Sequence, residues 1–285
     1  MLVNMVLDTL KDTVKLLPFL FLTYLVMEYL EYKTGDKSHR IIGKIDKFGP
    51  LFGAVVGVFP QCGFSAAASN LFSGGVITMG TLVSIFLSTS DEMLPILLAK
   101  AVKMTMIFKI LFIKVGIGAV TGFLIDLIFQ NLKAGDGKNK DIHDLCTHEQ
   151  CHCEDGILKS ALNHTLRIGV FIFLFSFGIG MLIKTVGERT IEEFLLNQSI
   201  FGVFLTGIIG LIPNCAASVA ITELYLQGLL GTGQMMSGLL VGAGVGILLL
   251  FRSNQNLKEN LKITAILYGV GVLWGLLIEV TKVVF

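Results

Sequence analysis

Residues 57–72 read GVFPQCGFSAAASNLF, an apolar run that is interrupted by a proline, an amide, a cysteine and a glycine. Residues 210–225 read GLIPNCAASVAITELY and carry a proline, an amide and a cysteine at the same places. A proline inside a helix removes one hydrogen bond and clashes with the preceding turn, which costs about 3 kcal/mol. Because this cost recurs in matching positions, we interpret the two breaks as functional.

The chain around these motifs has the composition of an integral membrane protein. Of its 285 residues, 53% are hydrophobic and only 15% are charged, and the mean hydropathy is +0.77, whereas soluble domains are about one-quarter charged. Apolar runs lie at 16–30, 48–59, 76–87, 93–98, 104–129, 157–183, 201–212, 229–251 and 263–285. Several could span about 30 Å of hydrocarbon as a helix, and the shorter ones must pair or re-enter. Without strand-like alternation, the runs predict an all-α polytopic membrane protein.

The two motifs belong to an internal repeat. A constant shift of 153 residues aligns 48–126 with 201–279 without a gap. The aligned pairs include Pro60/Pro213, Cys62/Cys215, Ser65/Ser218, Lys109/Lys262, Gly116/Gly269, Gly118/Gly271, Gly122/Gly275 and Asp126/Glu279. Apolar segments match by chance at leucine or valine, but not at proline, cysteine and glycine in one register. We therefore predict a first membrane repeat at 1–132, a His/Cys-rich polar linker at 133–156 and a second repeat at 157–285.

Each half has about five segments: a leading helix, one helix broken at proline, two short segments and a long final helix. An odd number of crossings turns the second half over, which gives about ten transmembrane segments in two inverted repeats. Secondary transporters have this architecture, and their broken helices mark the substrate site. Lysines and arginines in the loops at 33–47, 133–159 and 252–262 place the linker in the cytoplasm and both termini outside. In this orientation Lys100 and Lys103 lie on the outer side of the membrane, where positive charges are not expected.

The breaks define the predicted transport site. After each proline a half-helix can begin, with unpaired backbone N–H groups aimed at the centre. The side chains expected there are Pro60, Gln61, Cys62, Ser65, Pro213, Asn214, Cys215 and Ser218. Because thiolates select zinc, copper(I), cadmium or trivalent arsenic, Cys62 and Cys215 are predicted metal ligands. The alternative is a pair of proline kinks in which cysteine is a small apolar filler.

Further polar residues could contribute to this site. Glu223 and its counterpart Asn70 lie two turns past the breaks, where Glu223 could supply a hard ligand or a proton acceptor. Asp91 lies in the segment STSDE at 88–92, which faces the site if 76–98 re-enters and caps the next helix if it crosses. Asp126 and Glu279 form a symmetric acidic pair that could carry coupling protons or extend to the interface.

The linker carries a second set of candidate metal ligands. Residues 141–156 read DIHDLCTHEQCHCEDG and contain His143, Cys146, His148, Cys151, His152 and Cys153. Imidazole and thiolate at these spacings can close a four-ligand site, although the pattern is not a known zinc-finger spacing. The alternative is an incidental flexible linker. A cytoplasmic metal collector, with thiols kept reduced, beside a thiol-lined pore suggests export.

The doubled PQC and PNC breaks, the five-plus-five arrangement and the central His/Cys linker resemble the ten-helix heavy-metal exporter family. Its members are also labelled arsenic efflux proteins or manganese transporters. The resemblance covers the whole chain and implies a plasma (inner) membrane permease that exports a metal or metalloid ion, with the motifs carried over onto 60–62 and 213–215. Manganese prefers oxygen and imidazole ligands, so it would need ligands such as Glu223, Asn70, Asp91 and Gln61.

Two other classes of function compete with metal export. Half-helix N-termini aimed at one point favour an anion, so the breaks also fit a transporter of a sulfur-containing or organic anion, and only the linker favours a metal. A cysteine enzyme needs a base near its thiol, and neither motif offers a nearby histidine, so we predict no enzyme. The chain has no GxxxxGK[ST] motif for an ATP-driven pump.

The expected partners follow from this interpretation. They are the lipid bilayer and a small inorganic ion that is the substrate, with no permanently bound cofactor. A net charge of +1 gives no reason to expect a nucleic acid. Whether the chain forms a homo-oligomer is left open by the sequence.

Overall fold

The structure is a computed structural model of the chain. It describes residues 48–59, 62–90, 93–132 and 199–281 continuously, and parts of 6–25 and 162–181. Every regular element in these residues is an α-helix. The helices are α1 Gly49–Gly57, α2 Cys62–Ser73, α3 Met79–Ser88, α4 Met93–Ala99, α5 Met104–Leu132, α6 Ser199–Gly210, α7 Cys215–Leu226, α8 Thr232–Val241, α9 Val245–Ser253 and α10 Leu257–Val280. The described residues within 6–25 and 162–181 are also helical, as the two predicted leading helices require.

The chain is a multi-pass membrane protein. Within the described residues, four helical segments are long and apolar enough to cross a membrane: Met79–Ala99, Met104–Phe129, Thr232–Ser253 and Leu257–Val280. The third of these segments is 94% buried inside the protein, whereas the fourth is 33% buried. Phe108 and Phe112 on α5 are 66% and 80% exposed, which suits a surface in contact with lipid. The interrupted segments α3–α4 and α8–α9 therefore lie inside, and the long helices α5 and α10 lie outside.

Small residues bring α3 and α5 into close antiparallel contact. A β-carbon on Gly118 of α5 would lie only 2.9 Å from the carbonyl oxygen of Ser84 on α3. One added to Gly80, at the start of α3, would collide with the carbonyl of Gly122 and the carboxylate of Asp126. The second half repeats this contact between α8 and α10, because a β-carbon on Gly275 would lie 2.8 Å from the Gly233 carbonyl oxygen. Such glycine contacts are typical of closely packed membrane helices.

At the proline motif the structure differs from the expected broken helix. Helix α1 runs parallel to α3, because Gly49 packs on Thr81 and Gly57 packs on Ser88. Two collinear helices would end about 32 Å from the level of Gly49, and the six residues from Ser73 to Met79 reach at most about 22 Å. Helix α2 must therefore turn back, so that α1 and α2 form a helical hairpin with the motif at its tip. Hydrophobicity alone gives no chain direction, which is why the sequence did not show this reversal.

The segment that was expected either to cross or to re-enter runs in one direction. Gly80 lies beside Asp126, and Met104 lies about 33 Å further along α5. If α4 folded back on α3, Ala99 would be about 28 Å from the level of Met104, whereas five residues reach at most about 18 Å. Helices α3 and α4 are thus two parts of one interrupted segment. Thr89 and Ser90 therefore lie at the break of this segment and not at the tip of a hairpin.

Helices α2 and α7 end in matching turns that lead directly into α3 and α8. Gly75 and Gly228 follow them with φ angles of 72° and 76°, a conformation that is accessible to glycine without strain. Val76 N–H then donates to the carbonyl of Leu71 at 2.8 Å, as in a Schellman motif. These sharp ends keep α2 and α7 next to the interrupted segments that follow them.

Candidate functional site

The end of α1, at the hairpin tip, lies beside the break in the α3–α4 segment, and the end of α6 lies at the corresponding place beside the α8–α9 segment. A β-carbon on Gly57, at the end of α1, would collide with Ser88 Oγ at the end of α3. In the second half a β-carbon on Gly210, at the end of α6, would collide with the carbonyl oxygen of Gly238 on α8. Residues 58–59, after α1, and 89–90, after α3, are therefore neighbours, as are the helix breaks at 211–214 and 242–244.

Contacts between the halves bring the two pairs of breaks together. Ser69 Oγ on α2 donates to the carbonyl oxygen of Gly246 on α9 at 2.6 Å. A β-carbon on Gly246 would lie 2.8 Å from Ser65 Cβ and 2.9 Å from Phe86 Cε1. The first turn of α9 therefore packs against the first turns of α2 and against the end of α3. All four breaks meet in one region, which we call the central site.

A buried lysine joins the halves at the central site. Lys114 on α5 has an exposed fraction of 0%. Its Nζ donates to the carbonyl oxygen of Thr89, in the first break, and to that of Leu239, in the last turn of α8, at 2.9 Å for the latter. The sequence interpretation missed this residue, although a lysine inside the apolar run 104–129 whose aligned residue is Leu267 was a usable signal.

The predicted cysteines mark the helix starts at two of the breaks. Cys62 is the first residue of α2, and Cys215 is the first residue of α7; their side chains lie outside the described part of the structure. Pro213 and Asn214 form the bend before α7, where Asn214 N–H donates to the Ile212 carbonyl oxygen at 2.7 Å. The remaining predicted residues at the breaks divide into two groups. Ser65 and Ser218 are buried, whereas Pro60, Gln61 and Asp91 are outside the described residues.

Asn70 and Glu223 lie away from the breaks, in matching contacts between the halves. Ser253 Oγ, at the end of α9, donates to Asn70 Oδ1 on α2 at 2.8 Å. At the corresponding place, Lys100 Nζ lies 3.2 Å from Glu223 Oε2 on α7, and both side chains are partly exposed. Each residue is about 12 Å along its helix from the cysteine. The structure therefore separates Glu223 and Asn70 from the predicted thiol ligands.

The predicted acidic pair binds the first turns of α3 and α8. Asp126 Oδ1 accepts the N–H of Gly80 at 2.8 Å, and its Oδ2 accepts the hydroxyl of Thr78 at 2.7 Å. Glu279 Oε2 accepts the N–H of Gly233 at 2.9 Å. Carboxylates at helix N-termini satisfy free N–H groups and favour the helix dipole. Both residues are therefore separated from the breaks by the length of α3 or α8.

The predicted metal ligands stay predictions. Among the residues that the structure describes, no group of three His, Cys, Asp or Glu side chains could hold a metal ion. The linker candidates His143, Cys146, His148, Cys151, His152 and Cys153 lie outside those residues.

Interrupted helices that meet at an internal region are typical of secondary membrane transporters. The sequence profile of the family described as "Putative, 10TM heavy-metal exporter" matches residues 2–184, more than half of the chain. The chain belongs to this family. Searches of curated proteins and of solved structures found no match.

Proposed function

We propose that the protein is a secondary transporter that exports a heavy-metal or metalloid ion through the central site, with Cys62 and Cys215 as thiolate ligands. The observation that carries this proposal is that each cysteine begins a half-helix, α2 or α7, at a hairpin tip. Thiolates favour soft ions. A lone thiolate is costly in an apolar site, so each thiol would lose its proton only when the ion arrives.

The proposal includes two inverted repeats. Helices α7 and α8 begin and end 153 residues after α2 and α3, and α10 begins 153 residues after α5. Helix α2 runs parallel to α9, because Ser65 and Asn70 pair with Gly246 and Ser253 in order. Since α3 is antiparallel to α2, it is also antiparallel to the α8–α9 segment. An odd number of crossings in each half would invert the second half relative to the first.

The linker and the acidic pair have supporting roles in this proposal. The His/Cys tract would collect the ion on the cytoplasmic side of the plasma membrane, which agrees with the basic loops. Asp126 and Glu279 would bind coupling protons, and their bonds to Gly80 and Gly233 would link protonation to the positions of α3 and α8.

Lys114 favours a second candidate function, the transport of an anion. A fixed ammonium at the central site repels a free cation and attracts an anion, and the N-termini of α2 and α7 add the same preference. A sulfur-containing or organic anion would then occupy the space between the two half-helices. In this case the cysteines would line the site and would not ligate a metal.

Alkylation of two cysteines distinguishes these functions. The chain has five cysteines, so replacing Cys146, Cys151 and Cys153 by serine leaves only Cys62 and Cys215. In inside-out vesicles, zinc, cadmium, copper(I), manganese and arsenite are tested for efflux and for protection of these two thiols. Saturable protection and transport by one of the soft ions supports the metal function. Protection by an organic anion, with flat responses to all five ions, supports the second candidate and contradicts the first.

A further inference from the structure

We propose that Lys114 is a tethered cation that fills a cation site between the two halves, so that the transporter cycles without a free Na⁺ or K⁺ ion there. The consequence for transport rests on the proposed function, whereas the cation site itself rests on the geometry around one ammonium group. Neither the sequence analysis above nor the family description assigns a role to Lys114.

The site is built from carbonyl groups at two helix ends. Thr89 is the residue after α3, and Leu239 lies in the last turn of α8. The last carbonyls of a helix have no partner within it, and the helix dipole makes this end negative. At α8 the N–H of Ala243 donates to the carbonyl of Val241 and not to that of Leu239. The Leu239 carbonyl is therefore available to the Lys114 ammonium.

Helices α3 and α8 approach this ammonium from opposite directions with their negative ends. Transporters with interrupted helices use such ends and unwound carbonyls to bind Na⁺ or a proton. A charge inside a membrane protein is expensive and is usually functional. Here the covalent side chain supplies a positive charge to the carbonyl groups of Thr89 and Leu239.

The ammonium is present in one half only. The position that corresponds to Lys114 is Leu267 on α10, which is also fully buried. One lysine thus serves the ends of two helices, one from each half. A free cation would have to displace this ammonium before it could bind, which we do not expect under ordinary ionic conditions.

The test is the thermal stability of the full-length Lys114→Ala variant in detergent. In choline chloride, which has no N–H donor, the melting temperature of this variant should lie about 5 °C or more below that of the wild type. The reason is that the buried carbonyl groups lose the Lys114 ammonium as their hydrogen-bond partner. n-Propylammonium chloride at the same ionic strength replaces the missing atoms and should recover at least about half of this loss in a saturable manner. Leu267→Ala is the matched cavity control, and its melting temperature should not respond to the choice of cation.

The proposal would be overturned if replacing choline by n-propylammonium changed the melting temperatures of Lys114→Ala and Leu267→Ala equally. It would also be overturned if n-propylammonium did not raise the melting temperature of Lys114→Ala. If Lys114→Ala does not fold, Lys114→Arg and Lys114→Met decide: the arginine variant should keep transport at least tenfold above the neutral methionine variant. Wild-type transport should not change when choline replaces Na⁺ and K⁺, and a requirement for either ion contradicts a filled site. Since the melting experiment needs no substrate, its outcome is independent of which ion is exported.

Discussion

Asp126 on α5 accepts the backbone N–H of Gly80 at 2.8 Å, at the point where α3 begins. Glu279 and Gly233 form the same hydrogen bond at 2.9 Å between α10 and α8. The extra methylene of the glutamate is accommodated, so the contact is kept although the side chain differs. Each carboxylate binds the start of α3 or α8, and the other end of that helix lies at the central site.

The hydrogen bond predicts how replacements of Asp126 will differ. Asp126→Ala leaves the Gly80 N–H and the Thr78 hydroxyl without this acceptor, so stability should fall by about 1–3 kcal/mol. Asp126→Asn keeps an acceptor and loses the charge, so its loss should be about 0.3–1 kcal/mol. Thermal melts of the purified variants measure the difference. A loss for Asp126→Asn as large as that for Asp126→Ala would mean that charge, and not the acceptor, stabilises α3.

The same variant tests the proposed coupling protons. Asp126→Asn cannot release a proton, so proton-driven efflux should fall at least about tenfold if this carboxylate carries one. Exchange of substrate at equal pH on both sides should stay near wild type. Parallel measurements on Glu279→Gln serve as the symmetric comparison. Normal proton-driven efflux in both variants would assign the coupling protons elsewhere.

Cys62 and Cys215 are predicted to act as one ligand set. Each serine variant should weaken binding of the transported soft ion by more than about 100-fold, since loss of a direct ligand exceeds the usual effect of an indirect one. The double variant should lose little more than either single variant, because residues that share a ligand are coupled. Binding and transport titrations measure both effects. A short bifunctional thiol reagent should also link the two positions, and additive losses without a cross-link would leave the cysteines as fillers.

Gly246 should tolerate no side chain. In Gly246→Ala the added carbon would lie 2.8 Å from Ser65 Cβ and 2.9 Å from Phe86 Cε1, which forces α9 away from α2 at a cost of about 1–3 kcal/mol. Gly116→Ala is the control, because its added carbon has no atom within 4 Å among the described residues. The control should be neutral or stabilising in a thermal melt. A stable Gly246→Ala variant with full transport would show that the two halves do not need this close contact.

The His/Cys tract should affect capture more than passage. Replacing the three cysteines and three histidines of 143–153 by serine and alanine should raise the substrate concentration for half-maximal transport, with the maximal rate near wild type. The reason is that the tract lies outside the repeat and has no counterpart in it. Vesicle transport across a range of ion concentrations measures both quantities. Complete loss of transport at normal membrane levels would place the essential site in the linker.

Sequence reasoning succeeded where the chemistry of a residue recurs in register. The pairing of Asp126 with Glu279 was visible at a shift of 153 residues, and both side chains make the same contact in the structure. It did not predict that α2 reverses the chain direction after α1, because the composition of these two helices is equally compatible with one broken helix and with a hairpin. It also missed Lys114, because the search for symmetric pairs passes over a residue whose counterpart is the apolar Leu267.

Among the described residues Lys114 is the one buried ammonium, and its presence in one half makes the two halves unequal in electrostatic energy. An inverted repeat can open to either face of the membrane when its halves exchange conformations, and identical halves would populate both openings equally. In the proposed inverted repeat, with Lys114 on α5 and Leu267 on α10, the two openings would differ in how well the charge is solvated. That difference would bias the resting population toward one side of the membrane before any substrate binds.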